Sequence, residues 1–422
     1  MKKVVLVGGA TGREHAIAKQ FYNEGYELSA ILWADNEFIK KLCTGKYLKI
    51  NLDDVDEVFH AILEIKPDYV VIGQGEVIQR GLCDMLNNEN IPCIGPTKKL
   101  AQLEGSKTFC RDLLEEIDDN LNPKHKDFYE CSNELDKYIN SFKTKIVVKC
   151  DGVITGPRVR IYEIDEKREA LDNANNWIKN YGHIIVEEFI DGHEVAIMSY
   201  TDGKNIIHTP VFKNHKRIGE GNVGENTSGM GTLTGKECFP YISNVAEEKM
   251  HEITEKVMQT INKKCGQKYL GSLYGEFLVS GDEVKVIEYN CRFGNPSSMN
   301  ILSIMKISFP QLCEHILNGT INELENIFDD KIVSLSAYVV PKEYTLNKKY
   351  VGTEVDFSNV DEELFYCGNM DYKSGKYYLK NSRAFAICAT AHNIEKARSI
   401  VYKELAKVKG NIYYRGDIGD GK

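Results

Sequence analysis

Long hydrophobic runs are absent from this chain of 422 residues, and no stretch approaches the roughly 20 apolar residues that a membrane-spanning helix requires. The amino terminus also lacks the apolar segment of a secretory signal, because Met1-Lys2-Lys3 leads directly into a short strand pattern. These two absences predict a cytoplasmic protein without a membrane partner.

Paired cysteines and an excess of positive charge are missing as well. The 12 cysteines include no Cys-x-x-Cys pair and no zinc spacing, so we expect buried thiols in a reducing compartment. The net charge is −9, whereas binding to nucleic acid requires a basic surface that neutralises phosphates. The composition therefore predicts a globular protein of several domains with no nucleic-acid partner, and it leaves room for small phosphorylated ligands.

The first hundred residues alternate strand and helix patterns. An apolar run at 3–9 ends in glycines, and 10–16 is typical of a helix start. Further strands are predicted at 26–33, 47–50 and 69–72, with a helix at 53–65. This alternation predicts an open α/β sheet, which places ligands at the carboxyl ends of its strands. The glycine turn before the helix is also a candidate anion site.

Two lysines mark a candidate phosphate site. Lys107 opens a predicted helix after Gly105-Ser106, and Lys149 ends the strand 145–149. A lone lysine at a strand end is usually solvated, but both lysines lie beside glycine and precede the acidic strand 184–194. The first half of that strand would pair with an adenine edge, and Glu194 would accept hydrogen bonds from ribose hydroxyls.

The segment 213–231 is polar and glycine-rich, with no apolar period. A loop of this length without structure of its own is usually functional or disordered. Its basic residues His215, Lys216 and Arg217 favour a role in covering a ligand.

A strand at 284–290 carries the candidate metal ligands. Glu288 and Asn290 are two residues apart, so they share one strand face and present oxygens of the kind that Mg²⁺ prefers. Arg292 follows, and its planar guanidinium suits a carboxylate or phosphate. This strand is predicted to form a hairpin with 271–279, and the length of the turn decides on which face of the hairpin Glu276 lies. A three-residue turn would place Glu276 opposite Glu288 as a third ligand, whereas a four-residue turn would place it on the other face.

Taken together, these segments resemble the phosphoribosylamine–glycine ligase family (glycinamide ribonucleotide synthetases) of the ATP-grasp superfamily. The resemblance covers nearly the whole chain, in family order. It is carried by residues 12–16, 95–97, 102–107, 147–152, 187–192, 215–217, 226–231, 288–294 and 414–419.

The resemblance implies a multidomain α/β and α+β architecture. An open α/β preATP-grasp domain would span 1–103, and an ATP-grasp core would span 104–330 with a lid inserted at about 123–193. A small α+β domain would form 331–422. The implied reaction phosphorylates the glycine carboxylate with ATP, and the amine of 5-phosphoribosylamine then attacks the acyl phosphate to form the amide. The implied molecule is a monomer or weak homodimer with small-molecule substrates.

The resemblance also implies roles for individual residues. ATP would contact Lys107, Lys149, Glu187, Glu188, Glu194 and Lys216. Magnesium, or alternatively manganese, would be held by Glu288 and Asn290, with Glu276 as the third candidate. The reacting centre would be formed by Arg292, Asn226, Gly229 and Gly231. The substrates would contact Gly12, Arg13, Glu14, His15, Asn214, Arg292, Asn295 and Ser297.

Several positions depart from the family pattern, and they cluster at substrate recognition. Asn214 and Asn295 stand where the family has aspartates, and Ser297 stands where it has a glutamate. Other departures lie at 8–12, 73–76, 156–158 and 381–383. Glu276, conversely, is an acid where this family usually has none. Neutral groups in place of carboxylates change specificity.

Three alternatives therefore remain: the glycine ligase, a related carboxylate–amine ligase with other partners, or a nucleotide-binding regulator without activity. The joint retention of Lys107, Lys149, Glu288 and Asn290 counts against the regulator.

Overall fold

The computed structural model describes residues 1–151 and 159–420, so the altered motif at 156–158 lies outside the described residues. The first hundred residues alternate strands and helices as predicted. Their elements are β1 (Lys3–Gly8), α1 (Gly12–Asn23), β2 (Glu27–Leu32), α2 (Glu37–Leu42), β3 (Tyr47–Lys49), α3 (Val55–Ile65), β4 (Tyr69–Ile72), α4 (Gly75–Gln79), α5 (Leu82–Asn88) and β5 (Cys93–Ile94).

The five strands form one parallel sheet in the order β3-β2-β1-β4-β5. Val4 to Val7 in β1 are completely buried, because helices cover both faces of a parallel sheet and demand an uninterrupted apolar strand. The loops after β1 and β4 leave the same edge of the sheet. This edge brings Gly9 and Gln74 to the cleft described below.

Four helices and a small antiparallel sheet of four strands follow. These elements are α6 (Gln102–Gly105), α7 (Lys107–Ile117), β6 (His125–Phe128), α8 (Asn133–Ser141), β7 (Ile146–Cys150), β8 (Val159–Tyr162), α9 (Lys167–Tyr181) and β9 (Ile184–Glu188). The strand order is β6-β9-β7-β8, and α8 and α9 pack on the sheet around Trp177 and Ile184. We call this unit, from β6 to β9, the lid. It has a hydrophobic core of its own, separate from the two larger cores.

The remaining chain builds a ten-stranded sheet, a four-stranded sheet and the two-stranded sheet β13-β14 (Arg217–Gly219 with Val223–Asn226). The elements are β10 (His193–Thr201), β11 (Ile206–His208), β12 (Phe212–Asn214), β13 (Arg217–Gly219), β14 (Val223–Asn226), β15 (Gly231–Thr234), α10 (Asn244–Cys265), β16 (Gly271–Ser280), β17 (Glu283–Asn290), α11 (Ser297–Ser303), α12 (Phe309–Asn318), β18 (Val333–Pro341), β19 (Glu354–Asp356), β20 (Phe365–Cys367), β21 (Met370–Lys373), β22 (Lys376–Leu379), β23 (Phe385–Ala391), α13 (Ile394–Leu405), β24 (Lys409–Gly410) and β25 (Ile412–Tyr413). Short 3₁₀ turns lie at Asp119–Leu121, Ile164–Glu166, Glu220–Asn222, Lys236–Cys238, Ile321–Glu323 and Glu362–Leu364.

The carboxyl-terminal segment shares the large sheet. The strand order of the large sheet is β17-β16-β10-β12-β15-β18-β23-β20, with β11 paired to β10 and β25 paired to β18. Strands on both sides of residue 330 therefore pair directly, through β15 and β18. All nine residues of β18 are buried, which is consistent with a strand in the interior of a sheet. The segment after 330 contains strands and helices as expected. The boundaries proposed from the sequence, at 103/104, at 330/331 and around a lid of 123–193, stay predictions.

Candidate active site

A cleft of about 1060 Å³, lined by many charged side chains, opens between the edge of the first sheet, helix α7, the β16–β17 hairpin and the loop after β12. The lid contributes residues of β8 to its wall. Many residues predicted from separate motifs meet there. The predicted residues that line the cleft are Arg13, Lys107, Asn214, Lys216, Asn226, Gly229, Glu276, Glu288, Asn290, Arg292 and Asn295.

The register of the β16–β17 hairpin places Glu276 opposite Glu288, and it does so by a route that neither predicted turn describes. The turn contains only Gly281 and Asp282, with Gly281 at φ 60°, and Val279 pairs with Val284 as a four-residue turn would require. The register then shifts beside Glu276, where one extra residue of β17 is accommodated. Such bulges redirect side chains and are over-represented next to active sites. Both carboxylates consequently reach the cleft.

Lys216 lies between acids in this part of the cleft. Its ammonium is 2.7 Å from the carboxylate of Glu194 and also bonds to Glu276, which accepts a second hydrogen bond from the Tyr274 hydroxyl. Burial raises the pKa of Glu276 against the opposing charge of Lys216. The acidic neighbours outweigh burial at Lys216 and hold its pKa above the ordinary value. The ammonium therefore balances negative charge that would otherwise be buried unpaired.

The predicted metal ligands Glu288 and Asn290 lie at the carboxyl end of β17. Glu288 and Asn290 lie side by side, 3.4 Å apart, and Asn290 Oδ1 accepts a hydrogen bond from Arg292 at 3.1 Å. Burial raises the pKa of Glu288, but the charges of Lys216, Lys107 and Lys149 outweigh it and lower that pKa overall.

Among the described residues, no group of three or more His, Cys, Asp or Glu side chains could hold a metal ion by itself. Two carboxylates and one amide oxygen fit Mg²⁺, because Mg²⁺ usually takes one or two protein carboxylates and completes its shell with water and phosphates.

The predicted phosphate lysines occupy different surroundings. Lys107 is the first residue of α7 and lines the cleft. The preceding residue, Ser106, caps the helix with its side chain. Lys149 is buried, and its ammonium lies 2.5 Å from Glu187. Burial lowers the pKa of Lys149 despite this carboxylate. Lys149 thus sits behind the cleft wall with its ammonium bound to protein.

Glu187, which the resemblance assigns to the nucleoside, is held by protein groups in this structure. Its carboxylate is 2% exposed, and its two oxygens contact Lys149 and, at 2.9 Å, Arg111. Arg111 also donates to the carbonyl groups of Val286 and Ile287 in β17. Glu187 therefore joins the lid to α7 and β17 through Arg111, and its nucleoside role stays a prediction. Its neighbour Glu188 accepts from the Lys124 backbone and does not line the cleft.

The motif at the start of α1 also divides into cleft and core residues. Arg13 lines the cleft, whereas Glu14 is completely buried and paired with Arg13 at 2.6 Å. His15 is buried, accepts a hydrogen bond from the backbone of Cys367, and burial lowers its pKa to about 3. Gly12 is packed so closely that an added Cβ would lie 2.6 Å from the Tyr338 hydroxyl. In this structure Gly12, Glu14 and His15 pack behind Arg13, and their assignment to substrate binding stays a prediction.

Two further predictions fall in the core for similar reasons. An added Cβ at Gly231 would lie 2.3 Å from the Ser336 carbonyl, so close strand packing in the sheet by itself requires a glycine here. Ser297 is completely buried and does not line the cleft. Glu194 is outside the cleft lining and reaches it only through Lys216.

Two arginines organise further parts of the cleft wall. Arg292 lies 3.4 Å from Glu104, whose carboxylate also accepts from the backbone of Cys291. Arg383 donates to the carbonyl groups of Ser228, Gly229 and Asn295, at 2.6, 3.0 and 3.2 Å. Arg383 therefore fixes the loop that carries Gly229 against the loop that carries Asn295.

The substituted asparagines both hold tyrosines. Asn214 donates to the hydroxyl of Tyr274 at 2.9 Å, and Asn295 accepts from the hydroxyl of Tyr338 at 2.8 Å. Tyr274 in turn contacts Glu276. These amides line the cleft as neutral groups whose orientation is set by the protein.

Some residues of the site were not assigned from the sequence. Arg111 lies four residues after Lys107, so helical spacing alone places them on one face of α7 and would have indicated it. Glu104 lies in the motif 102–107, and Arg383 ends the segment 381–383 that departs from the family pattern. The residues that they contact are far away in sequence, so their roles could not be predicted. Tyr274 carried no signal beyond its strand.

Comparison with known proteins identifies the family. The model of the phosphoribosylglycinamide synthetase N domain matches residues 2–104, and the model of the phosphoribosylglycinamide synthetase ATP-grasp (A) domain matches residues 105–298. The chain belongs to this family. Phosphoribosylamine–glycine ligase of Methanococcus maripaludis strain C7 is 34% identical over 99% of this chain and 96% of the relative. The Pyrococcus furiosus ligase is 32% identical over 99% of this chain and 94% of the relative.

Solved structures agree on the fold. The crystal structure of phosphoribosylamine–glycine ligase from Thermotoga maritima has a TM-score of 0.82 at 24% identity, covering 98% of this chain and 99% of that one. The biotin carboxylase domain of Hydrogenobacter thermophilus 2-oxoglutarate carboxylase, solved with MgADP, has a TM-score of 0.77 at 15% identity and covers 100% and 96%. The predicted multidomain ATP-grasp architecture is confirmed.

Family membership makes this chain a ligase that forms a carbon–nitrogen bond with ATP and a divalent metal ion, acting on small molecules. Among the described residues, no helix is long and apolar enough to cross a membrane.

Proposed function

We propose that this chain joins glycine to 5-phosphoribosylamine with ATP, releasing glycinamide ribonucleotide, ADP and phosphate in purine synthesis. The names of relatives more than 30% identical over nearly the whole chain support this substrate pair. The observation that carries the proposal is the cleft itself. Glu276, Glu288 and Asn290 face Lys107 and Lys216 there, with Arg292 at the edge.

The chemistry requires positioning and charge neutralisation more than covalent help from the protein. Mg·ATP supplies the phosphoryl group that turns a carboxylate oxygen of the acid into a leaving group. Lys107 faces the phosphates from the start of α7, and Lys149 contributes positive charge from behind the wall. Arg292 binds the carboxylate end of the acid, because its guanidinium faces the cleft and matches a carboxylate in geometry. The loop through Asn226 and Gly229, fixed by Arg383, offers backbone donors around the reacting centre.

Glu288 and Asn290 would hold Mg²⁺, and Glu276 would be the third ligand if Lys216 released it. Oxygen-only ligands support Mg²⁺, and Mn²⁺ would accept the same set. The ammonium of Lys216 contacts Glu276 and Glu194 in this structure, so it would have to leave Glu276 before it could bind the nucleotide.

A related ligase that uses another acid or amine is the second candidate, and the two asparagines favour it. Asn214 and Asn295 place neutral amides where the family pattern has carboxylates, and each is held by a tyrosine. A pocket that has lost two negative charges binds an ammonium group less well. A monomer or weak homodimer, a cytoplasmic location and the three-domain division remain our predictions.

The discriminating experiment is ADP release by the purified protein with Mg·ATP, freshly made 5-phosphoribosylamine and glycine, each omitted in turn. Release that needs both substrates and yields glycinamide ribonucleotide supports the purine reaction. Release only with other acids or amines supports the second candidate. No ADP release with any acid and amine would contradict both.

A further inference from the structure

A histidine of the lid is held between two carboxylates. His183 precedes β9, and its Nε2 lies 2.7 Å from Asp127 of β6 while its Nδ1 lies 3.2 Å from Asp151 after β7. The ring of Tyr129 stacks on the imidazole, with 4.1 Å between centroids and 12° between planes. The side chains of His183 and Asp151 are only 15% and 13% exposed. The imidazole therefore connects three segments of the lid at one point.

The same carboxylates hold the first turn of α7. Asp151 accepts from the Lys107 backbone at 2.5 Å and from the Ser106 hydroxyl at 3.2 Å. Asp127 accepts from the Thr108 hydroxyl at 2.6 Å. Carboxylates at a helix amino terminus satisfy its free N–H groups and complement the helix dipole. The contacts thus join the lid to the turn whose first residue, Lys107, lines the cleft.

The charges around the imidazole favour its cationic form. Burial alone would lower the pKa of His183, but Asp127 and Asp151 outweigh it and raise that pKa to about 9. Among the residues that the structure describes, further groups that act on the cluster include His125 on β6, which acts on Asp127, and Asp112 on α7, which acts on Tyr129. At neutral pH both imidazole nitrogens therefore donate, one to each carboxylate.

We propose that His183 is a positioning residue: by bridging Asp127 and Asp151 it docks the lid on the start of α7 and sets Lys107 for the nucleotide phosphates. Lys149 lies two residues before Asp151 on β7, so the same junction also sets the second phosphate lysine relative to the first. The proposal rests on the proposed use of ATP, and it adds a residue outside the cleft to that function.

Three substitutions distinguish the effect of the His183 charge from the effect of its packing. His183→Gln removes the charge, His183→Arg keeps a planar cation with several donors, and Asp127→Asn removes one partner. His125→Gln is the control for loss of a lid histidine near α7. Its partner Glu115, at 3.7 Å, is half-exposed, so that ion pair contributes little, and His125 acts on Asp127 less than His183 does.

The first measurement needs no nucleotide. Hydrogen exchange at pH 7 should be faster over 105–109 in His183→Gln and unchanged in His183→Arg and His125→Gln. Exchange in His183→Gln that equals the wild type would overturn the proposal. So would equal loss of protection in the Gln and Arg variants, since packing and not charge would then explain it.

The second measurement is the affinity for ATP with Mg²⁺, by calorimetry from pH 6 to 10. Loss of a partly exposed charged bridge should weaken binding about tenfold in His183→Gln at pH 7. Wild-type affinity should fall as pH rises through about 9, because the cation is lost there, and His183→Arg should remove this fall. Asp127→Asn should move the fall to lower pH. A pH profile that is identical in all variants would contradict the proposal, whereas no ATP binding by the wild type would contradict the proposed function and leave the exchange result to decide.

Discussion

The buried carboxylate of Glu187 gives the sharpest energetic prediction. Arg111 and Lys149 outweigh the effect of burial and lower the pKa of Glu187 from 4.5 to about 2. At roughly 1.4 kcal/mol for each pKa unit, this difference corresponds to about 3 kcal/mol of stability at neutral pH. Glu187→Gln removes the charge and leaves two buried cations unpaired, and breaking a buried pair typically costs about 3 to 5 kcal/mol. We therefore expect a destabilisation of the lid by about 3 kcal/mol.

The stability of the lid can be measured by tryptophan fluorescence, because the chain contains only two tryptophans. Trp177 is in α9 of the lid, so urea unfolding followed by fluorescence in a Trp33→Phe background reports on the lid. Glu188→Gln is the control on the same strand, since Glu188 is only half-buried and bonds to the Lys124 backbone. The folded-state pKa of Glu187 is below the unfolded value, so its contribution is complete above pH 4.5 and is lost as pH falls toward 2.

The gap between Glu187→Gln and the wild type should accordingly stay constant from pH 7 to about 5 and narrow below 4.5. Equal unfolding midpoints for the two glutamine variants, or a gap that widens in acid, would refute the reasoning. Slower ATP turnover in Glu187→Gln without any loss of lid stability would instead return Glu187 to a direct role in binding.

Further predictions concern the cleft. Glu288→Gln with Asn290→Ala should abolish Mg·ATP turnover, and wild-type ADP release would end the metal assignment. Asn295→Asp should lower the KM for glycine if the neutral amide reflects altered specificity, and an unchanged KM would count against that interpretation. Arg383→Ala frees three carbonyl groups from one guanidinium, so kcat should fall by about tenfold or more with near-normal folding, measured by ADP release and thermal unfolding. Unaltered kcat in Arg383→Ala would show that the loop needs no such fixing.

Local sequence patterns were sufficient for much of the fold. The strand at 69–72 and the helix starting near Lys107 follow from apolar runs, glycine turns and a serine cap, which are properties of adjacent residues. The carboxyl-terminal segment shows the limit. Its strands were predicted, but their pairing with β15 depends on an edge that only the folded ATP-grasp sheet provides.

The site divides in the same way. Motifs brought Lys107, Glu288 and Asn290 to one cleft because each motif sits at the end of a strand or the start of a helix. A motif cannot distinguish a residue that contacts a ligand from one that positions such a residue. The burial of His15 and Glu187 among protein partners could therefore not be predicted from their motifs. The contact of Glu276 with the cleft depends on a bulge, which is a property of two paired strands and not of either sequence alone.

The most direct test of the account uses glycine labelled with ¹⁸O in its carboxylate, incubated with the enzyme, Mg·ATP and freshly made 5-phosphoribosylamine. If the carboxylate attacks the phosphoryl group and the amine then displaces phosphate, one ¹⁸O atom appears in each phosphate released, in step with glycinamide ribonucleotide. Unlabelled phosphate accompanied by ADP release would contradict the account, because ATP would then be cleaved without activating glycine.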